Sequence, residues 1–222
     1  MPFGFSRDAS GDRIDRIEAT LQRMFADDRH AFDLAMSALV GGADPHTVGG
    51  ELRATDHRVN EAEREIRREL VVHASVSGGI DTPAILVYMS IVKDIERVGD
   101  YAKNLFDLAR DGAQLGEGAA GRRLLEIRDQ VSRTIADTAD CFGARDAERA
   151  RTLLADGDAM LDSFDATVTG LVKGRDTEGH VVARALAERY LKRIVAHLMN
   201  ALSAVVMPLD RLDYFDEDPE DR

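Results

Sequence analysis

The constraint that weighs most on this chain is an apolar period of three to four residues that runs through nearly all of its 222 residues. Ile14, Ile17, Leu21 and Met24 start the pattern, and Phe32, Ala35 and Leu39 carry it to Gly41-Gly42. From about Asp44 to His73 the stripe is Leu52, Val59, Ile66 and Leu70. A breaker-rich stretch follows, and Thr82 before Pro83 predicts an N-cap with proline in the first turn. The third helix carries Ile85, Met89, Val92, Ile95, Ala102 and Leu105 and fades near Arg110. Residues 111–121, the most glycine-rich piece, read as a junction between two halves. Beyond it, Leu124, Val131, Ile135 and Phe142 mark a fourth helix that Gly143 is expected to interrupt. Leu154, Leu161, Phe164, Val168 and Leu171 mark a fifth. Val182, Leu186, Ile194, Leu198, Leu202 and Val205 mark a sixth, stopped by Pro208. Five prolines in all are too few for the turns of a sandwich or barrel.

Three long rods, a junction and three more rods predict an all-α fold. The expected architecture is two tandem three-helix bundles, six long antiparallel helices related by a pseudo-twofold repeat. The first repeat is placed at 1–115, a degenerate second repeat at 116–207, and an acidic tail at 208–222 in which Leu212, Tyr214 and Phe215 are able to dock. The halves align weakly: residues 56–66 sit against 158–168, and 95–105 against 191–201, which puts Asn104 over Asn200.

Charge narrows the function. Asp and Glu number 41 against 29 Lys and Arg, a net charge of −12, so the chain has no basic surface on the scale a nucleic-acid binder needs. Lysine occurs only at 93, 103, 173 and 192. The single Cys141 excludes an internal disulfide or a multi-cysteine metal knot. No apolar leader and no run long enough to cross a bilayer is visible, so a cytoplasmic location is expected.

The segment richest in chemistry is Asp94-Ile-Glu-Arg-Val-Gly-Asp-Tyr-Ala-Lys-Asn104. Glu96, Asp100 and Asn104 stack on one helical face at i, i+4 and i+8, beside the apolar positions Ile95 and Gly99. Two carboxylates one turn apart repel, so they persist at a wet surface or around a cation. Gly99 in mid-helix costs about 1 kcal/mol relative to alanine, and lets a neighbouring helix or a ligand come close. Asp56, Asn60 and Glu63 make a second oxygen-bearing face on the preceding helix. Oxygen-only ligands suit hard or borderline divalent cations. Taken on spacing alone, the column also reads as a solvated charged face, with Arg97 paired to Asp94 and with His57 and His197 as surface or packing residues.

The run 94–105, with Asp56-His-Arg-Val-Asn60 and Glu63 upstream, resembles the metal-binding signature of the PhoU family of phosphate-transport regulatory proteins, over roughly residues 10–206. The resemblance implies a divalent metal ion or small cluster (Fe, Mn, Mg or Zn) held by Asp56, Asn60, Glu96 and Asp100. The second half departs from the pattern, with Lys192 and Ala196 where Glu96 and Asp100 would recur. Lys192 is expected to pair with Asp158 or Asp162, leaving one metal-competent half and one lapsed half. The resemblance further implies a non-enzymatic negative regulator of phosphate uptake and starvation signalling. Its partners would be a phosphate ABC transporter ATPase and a sensor histidine kinase; it would form a homodimer and touch the membrane only through those partners. The alternatives are a metal-dependent phosphatase or oxidase on the same carboxylates, and a metal-free helical adaptor. No H-E-x-x-H, C-x-x-C, G-x-S-x-G or phosphate-cradling loop supports an enzyme.

Overall fold

A computed structural model describes residues 11–76, 79–176 and 179–213. Six long helices follow one another: α1 Gly11–Leu39, α2 Pro45–Val76, α3 Thr82–Arg110, α4 Gly118–Ala144, α5 Ala147–Val172 and α6 Val181–Val206, with a 3-10 turn at Leu209–Arg211. Among the described residues there is no strand, as an all-α fold requires. At 1.5 Å per residue, each rod is roughly 40–48 Å long.

Side-chain caps start α2 and α5. The Asp44 carboxylate accepts from the His46 amide at 2.9 Å and starts α2. Asp146 accepts from the amides of Glu148 and Arg149 at 3.1 and 3.0 Å and caps α5. Two expectations shift. At α3 the cap residue is Asp81, with Thr82 already helical and its hydroxyl donating back to the Gly79 carbonyl at 2.8 Å. Gly143 does not interrupt α4, which runs on to Ala144. It is used for space: a β-carbon there would lie 2.8 Å from Nε2 of Gln22, which itself donates to the Ala139 carbonyl at 3.0 Å.

The glycine-rich junction is a close backbone crossing. The Leu115 amide donates to the Leu39 carbonyl at 2.9 Å. A β-carbon on Gly116 would fall 2.3 Å from the Val40 carbonyl oxygen, and one on Gly121 would fall 2.2 Å from the Gly116 backbone. Nothing larger fits at either place.

Helices α1, α2 and α3 pack together, as do α4, α5 and α6, and α1 against α4 and α3 against α6 join the two groups. One hydrophobic core runs through both, from Leu21, Phe32 and Tyr88 to Leu191, Leu198 and Leu202. At the α3–α6 crossing the Asp94 carboxylate meets His197 Nδ1 at 2.8 Å and accepts from Asn200 Nδ2 at 3.0 Å. Tyr101 stacks on His197 and touches Tyr190, with ring centroids 5.6 and 6.0 Å apart. In the repeat alignment Asp94 corresponds to Tyr190 and Tyr101 to His197. The Asp94–His197 and Tyr190–Tyr101 contacts are thus the same contact made twice, with the two helices antiparallel across a pseudo-twofold axis. Leu212 packs partly buried against the core, whereas Tyr214 and Phe215 lie outside the described residues.

Candidate functional site

The site grows from the α2–α3 seam. Val59 and Ile66 on α2, and Ile95, Val98 and Ala102 on α3, are buried in the core. The polar positions beside them therefore lie along the seam. Lys103 Nζ donates to Asp56 Oδ1 across the seam and to Asp100 Oδ1 on its own helix, both at 2.9 Å. Burial works to lower the Lys103 pKa, but the hydrogen bonds to Asp100 and Asp56 overcome it and push it up to about 12. Glu96, 5% exposed, sits one turn back on α3 and pairs with Lys93 at 2.6 Å. Its pKa is raised, chiefly by burial; Lys93 opposes the shift, and Asp100 and then Glu63 add to it. Glu63 itself holds Arg67 at 3.0 Å. Asn60 spends its amide on its own helix, donating to the Asp56 carbonyl at 2.9 Å.

The structure adds a residue to this face from the first helix. Asp28 is fully buried, and neither carboxylate oxygen has a hydrogen-bond partner. Its oxygen Oδ1 lies 2.7 Å from where a β-carbon on Gly99 would stand. The close approach that Gly99 permits is therefore that of α1. Burial, followed by the like charges of Asp27, Glu96, Asp100 and Asp56, holds the Asp28 pKa well above the ordinary carboxylate value.

All four expected ligands thus stand along one seam. Asp56 and Asp100 are brought together by an ammonium, Glu96 turns to Lys93, and Asn60 turns to its own backbone. Among the described residues, no three Asp, Glu, His or Cys side chains converge as a ready-made cation site. The donor chemistry nevertheless fits a hard divalent ion: the carboxylates share one seam, and Asp28 lies buried beneath them with both oxygens unanswered. His57 is exposed beside Glu61 and His197 is a packing residue. Arg97 is exposed, and Asp94 turns away from it to His197 and Asn200.

The sequence reading passed over Asp28, Lys93 and Lys103, though signals existed. Asp28 interrupts the apolar stripe of Leu21, Met24, Phe32 and Ala35, and two of only four lysines bracket the Glu96–Asp100 pair at three residues on either side.

In the second half Lys192 meets Asp165 at 2.6 Å, not the expected Asp158 or Asp162, both of which are exposed. Register explains the difference. The α2–α3 pairing that sets Asp56 against Lys103 also puts Glu63 beside Glu96, and the counterparts of those two are Asp165 and Lys192. Ala196, in the place of Asp100, is 2% exposed. A groove of about 530 Å³ between α4 and α5 is lined by Ile127, Met160 and Phe164 with Arg133 and Asp137.

Comparison with known proteins places this geometry. The PhoU domain model matches residues 21–109, the span that carries α1 from Leu21, all of α2 and nearly all of α3. Residues 21–109 form a PhoU domain. A Synechocystis protein named as a phosphate-specific transport system accessory protein PhoU homolog is 23% identical over 197 residues, covering 86% of this chain and 87% of its own. A Deinococcus radiodurans protein of the same name is 24% identical over 167 residues, covering 70% and 76%. The crystal structure of PhoU from Pseudomonas aeruginosa superposes with a TM-score of 0.76 at 23% identity, covering 91% of this chain and 99% of that one. That likeness shows the same six-helix fold over 91% of this chain. No described helix is long and apolar enough to cross a membrane.

Proposed function

We propose that this chain is an accessory regulator of phosphate uptake that dampens the phosphate-starvation response. It would do so by docking its long helical faces on a phosphate ABC transporter ATPase and on a sensor histidine kinase. The observation that carries this reading is the PhoU domain over 21–109 together with the names borne by relatives matched over 70% and 86% of the chain. In this reading the protein is cytoplasmic, self-associates and performs no chemistry; membrane contact runs through its partners.

The same reading gives the α2–α3 seam a divalent cation. Asp56, Glu96 and Asp100 would hold it, Asn60 would turn its carbonyl oxygen toward it, and Asp28 would lie beneath. An all-oxygen set favours Mg²⁺, Mn²⁺ or Fe over Zn²⁺. The ion would supply charge that ties α2 to α3 and stiffens the face offered to a partner.

Affinity capture of the tagged protein from phosphate-replete cells tests the regulatory role. A transporter ATPase or a sensor kinase should be recovered, and a catch with neither overturns the reading. Mn²⁺ titration tests the cation: uptake should vanish in a Glu96→Ala/Asp100→Ala variant, and equal uptake by both proteins rejects the ligand set. A metal-free adaptor is the second reading, and the ammonium already seated between Asp56 and Asp100 is what favours it.

A further inference from the structure

We propose that Lys103 is a tethered competitor for the cation of the α2–α3 seam: its ammonium closes the site when no ion is bound, and a divalent ion enters only as Lys103 swings out. The inference rests on the cation site proposed above and adds what sets its affinity. Three observations carry it.

The ammonium stands where an ion would. It is within 2.9 Å of a carboxylate oxygen on each helix, and it is the link that joins Asp56 to Asp100. A side chain that bridges the two helices as an ion would must be displaced before an ion can bridge them.

The ammonium leaves part of the site unanswered. It hydrogen-bonds Asp56 and Asp100, whereas the buried Asp28 carboxyl group has no hydrogen-bond partner on either oxygen. Its Oδ1 stands against Gly99, the residue before Asp100. A divalent ion gathers about six or more oxygen ligands and has places in its shell for Asp28 as well, so the exchange favours a divalent cation.

The competitor is a residue that can let go. Basic residues here are almost all arginine, yet Lys93, Lys103 and Lys192, three of the four lysines, make ion pairs with acidic side chains along the two corresponding seams. Arginine would grip a carboxylate with a planar two-toothed fork. Lysine presents a strongly hydrated point charge on a flexible stem, and Lys103 is about one-third exposed, so it has a short path into water. In the second half the position of Lys103 is taken by Met199, packed on Gly157, and the ammonium has moved to Lys192 at the place of Glu96. There the positive charge replaces a ligand instead of competing with one.

Calorimetric titration of the full chain with Mn²⁺ decides the matter. Lys103→Met keeps the stem and removes the charge. It should bind Mn²⁺ at least about tenfold tighter than wild type, because the ion no longer breaks two charge-assisted hydrogen bonds. Lys103→Arg should bind no tighter than wild type. As a second readout, Lys103→Met without metal should melt below wild type, since Asp56 and Asp100 lose their counter-ion, and Mn²⁺ should raise its melting temperature by the larger step. Equal Mn²⁺ affinity for wild type and Lys103→Met, both abolished by Glu96→Ala/Asp100→Ala, overturns the competitor and leaves the cation site standing. Mn²⁺ uptake by neither protein overturns both.

Discussion

Replacing Gly99 with alanine isolates the contact on which the seam is built. An ideal β-carbon at this position lies 2.7 Å from Asp28 Oδ1 and 3.9 Å from Val59 Cγ1. The second distance is an ordinary contact; the first is an overlap. Asp28 is fully buried, so its carboxylate has no open space to retreat into. Overpacking of this kind costs about 1–3 kcal/mol, whereas glycine to alanine in mid-helix returns about 1 kcal/mol. Gly99→Ala should therefore destabilise the chain by about 1 kcal/mol. In an Asp28→Ala background the offending oxygen is gone, and the same Gly99→Ala change should stabilise by up to about 1 kcal/mol. The sign reversal amounts to a coupling of about 2 kcal/mol between residues far apart in sequence. Urea unfolding followed by far-ultraviolet circular dichroism, with chelator present throughout, measures all four corners of the cycle. If Gly99→Ala has the same effect in both backgrounds, α1 does not press on α3 at this point and the account of the glycine is wrong.

Asp94→Ala should cost about 3 kcal/mol or more, because it leaves His197 Nδ1 and Asn200 Nδ2 facing a buried space without their acceptor; a melting temperature within 2 °C of wild type (roughly under 1 kcal/mol for a chain of this size) contradicts this. Glu188 gives a pH test. Burial raises its pKa from 4.5, only partly answered by Arg123 at 2.6 Å, so its contribution is fully present below the unfolded value and lost as pH rises through the folded one. Wild type should lose stability across that interval faster than Glu188→Gln, by at most about 1.4 kcal/mol per pH unit, and parallel urea midpoints for the two proteins count against it.

The rods were legible because their signal is repeated many times over: every third or fourth apolar residue from Ile14 to Val205 reports the same helical face, and an error at one position is outvoted by its neighbours. Ends were less legible because a single local contact decides them. Gly143 looked like a breaker, yet its missing side chain makes room for Gln22 of α1, a residue more than a hundred positions away. The same holds at the site. The Glu96–Asp100 column could be placed on one face from helical geometry alone, whereas the partners of those carboxylates depend on register between helices. Lys103 bridging to Asp56, and Lys192 choosing Asp165 over its nearer-looking neighbours, follow from how α3 lies on α2 and α6 on α5. Asp28 was hidden for another reason. A charged residue on an apolar stripe is a conflict within one helix, and only the packing of α1 beneath Gly99 shows what that conflict faces.

The two halves also differ in a way that bears on whether the second could hold the cation proposed for the first. Lys192 pairs with a half-exposed Asp165, so Lys192→Glu removes a surface pair worth under about 1 kcal/mol. Ala196 is the harder obstacle. At the corresponding place Asp100 keeps 42% of its side chain in water, whereas Ala196 is 2% exposed within a stretch of α6 buried almost continuously from Ile194 to Val205. A carboxylate at 196 would enter the core, a cost of about 2–3 kcal/mol. Lys192→Glu/Ala196→Asp should therefore be destabilised almost entirely through position 196 and should take up no Mn²⁺ beyond the wild-type amount. A double variant as stable as wild type and binding a second ion would mean that burial of α6 is not what separates the halves. The loss would then lie in the one side chain at 192 and be reversible by changing it.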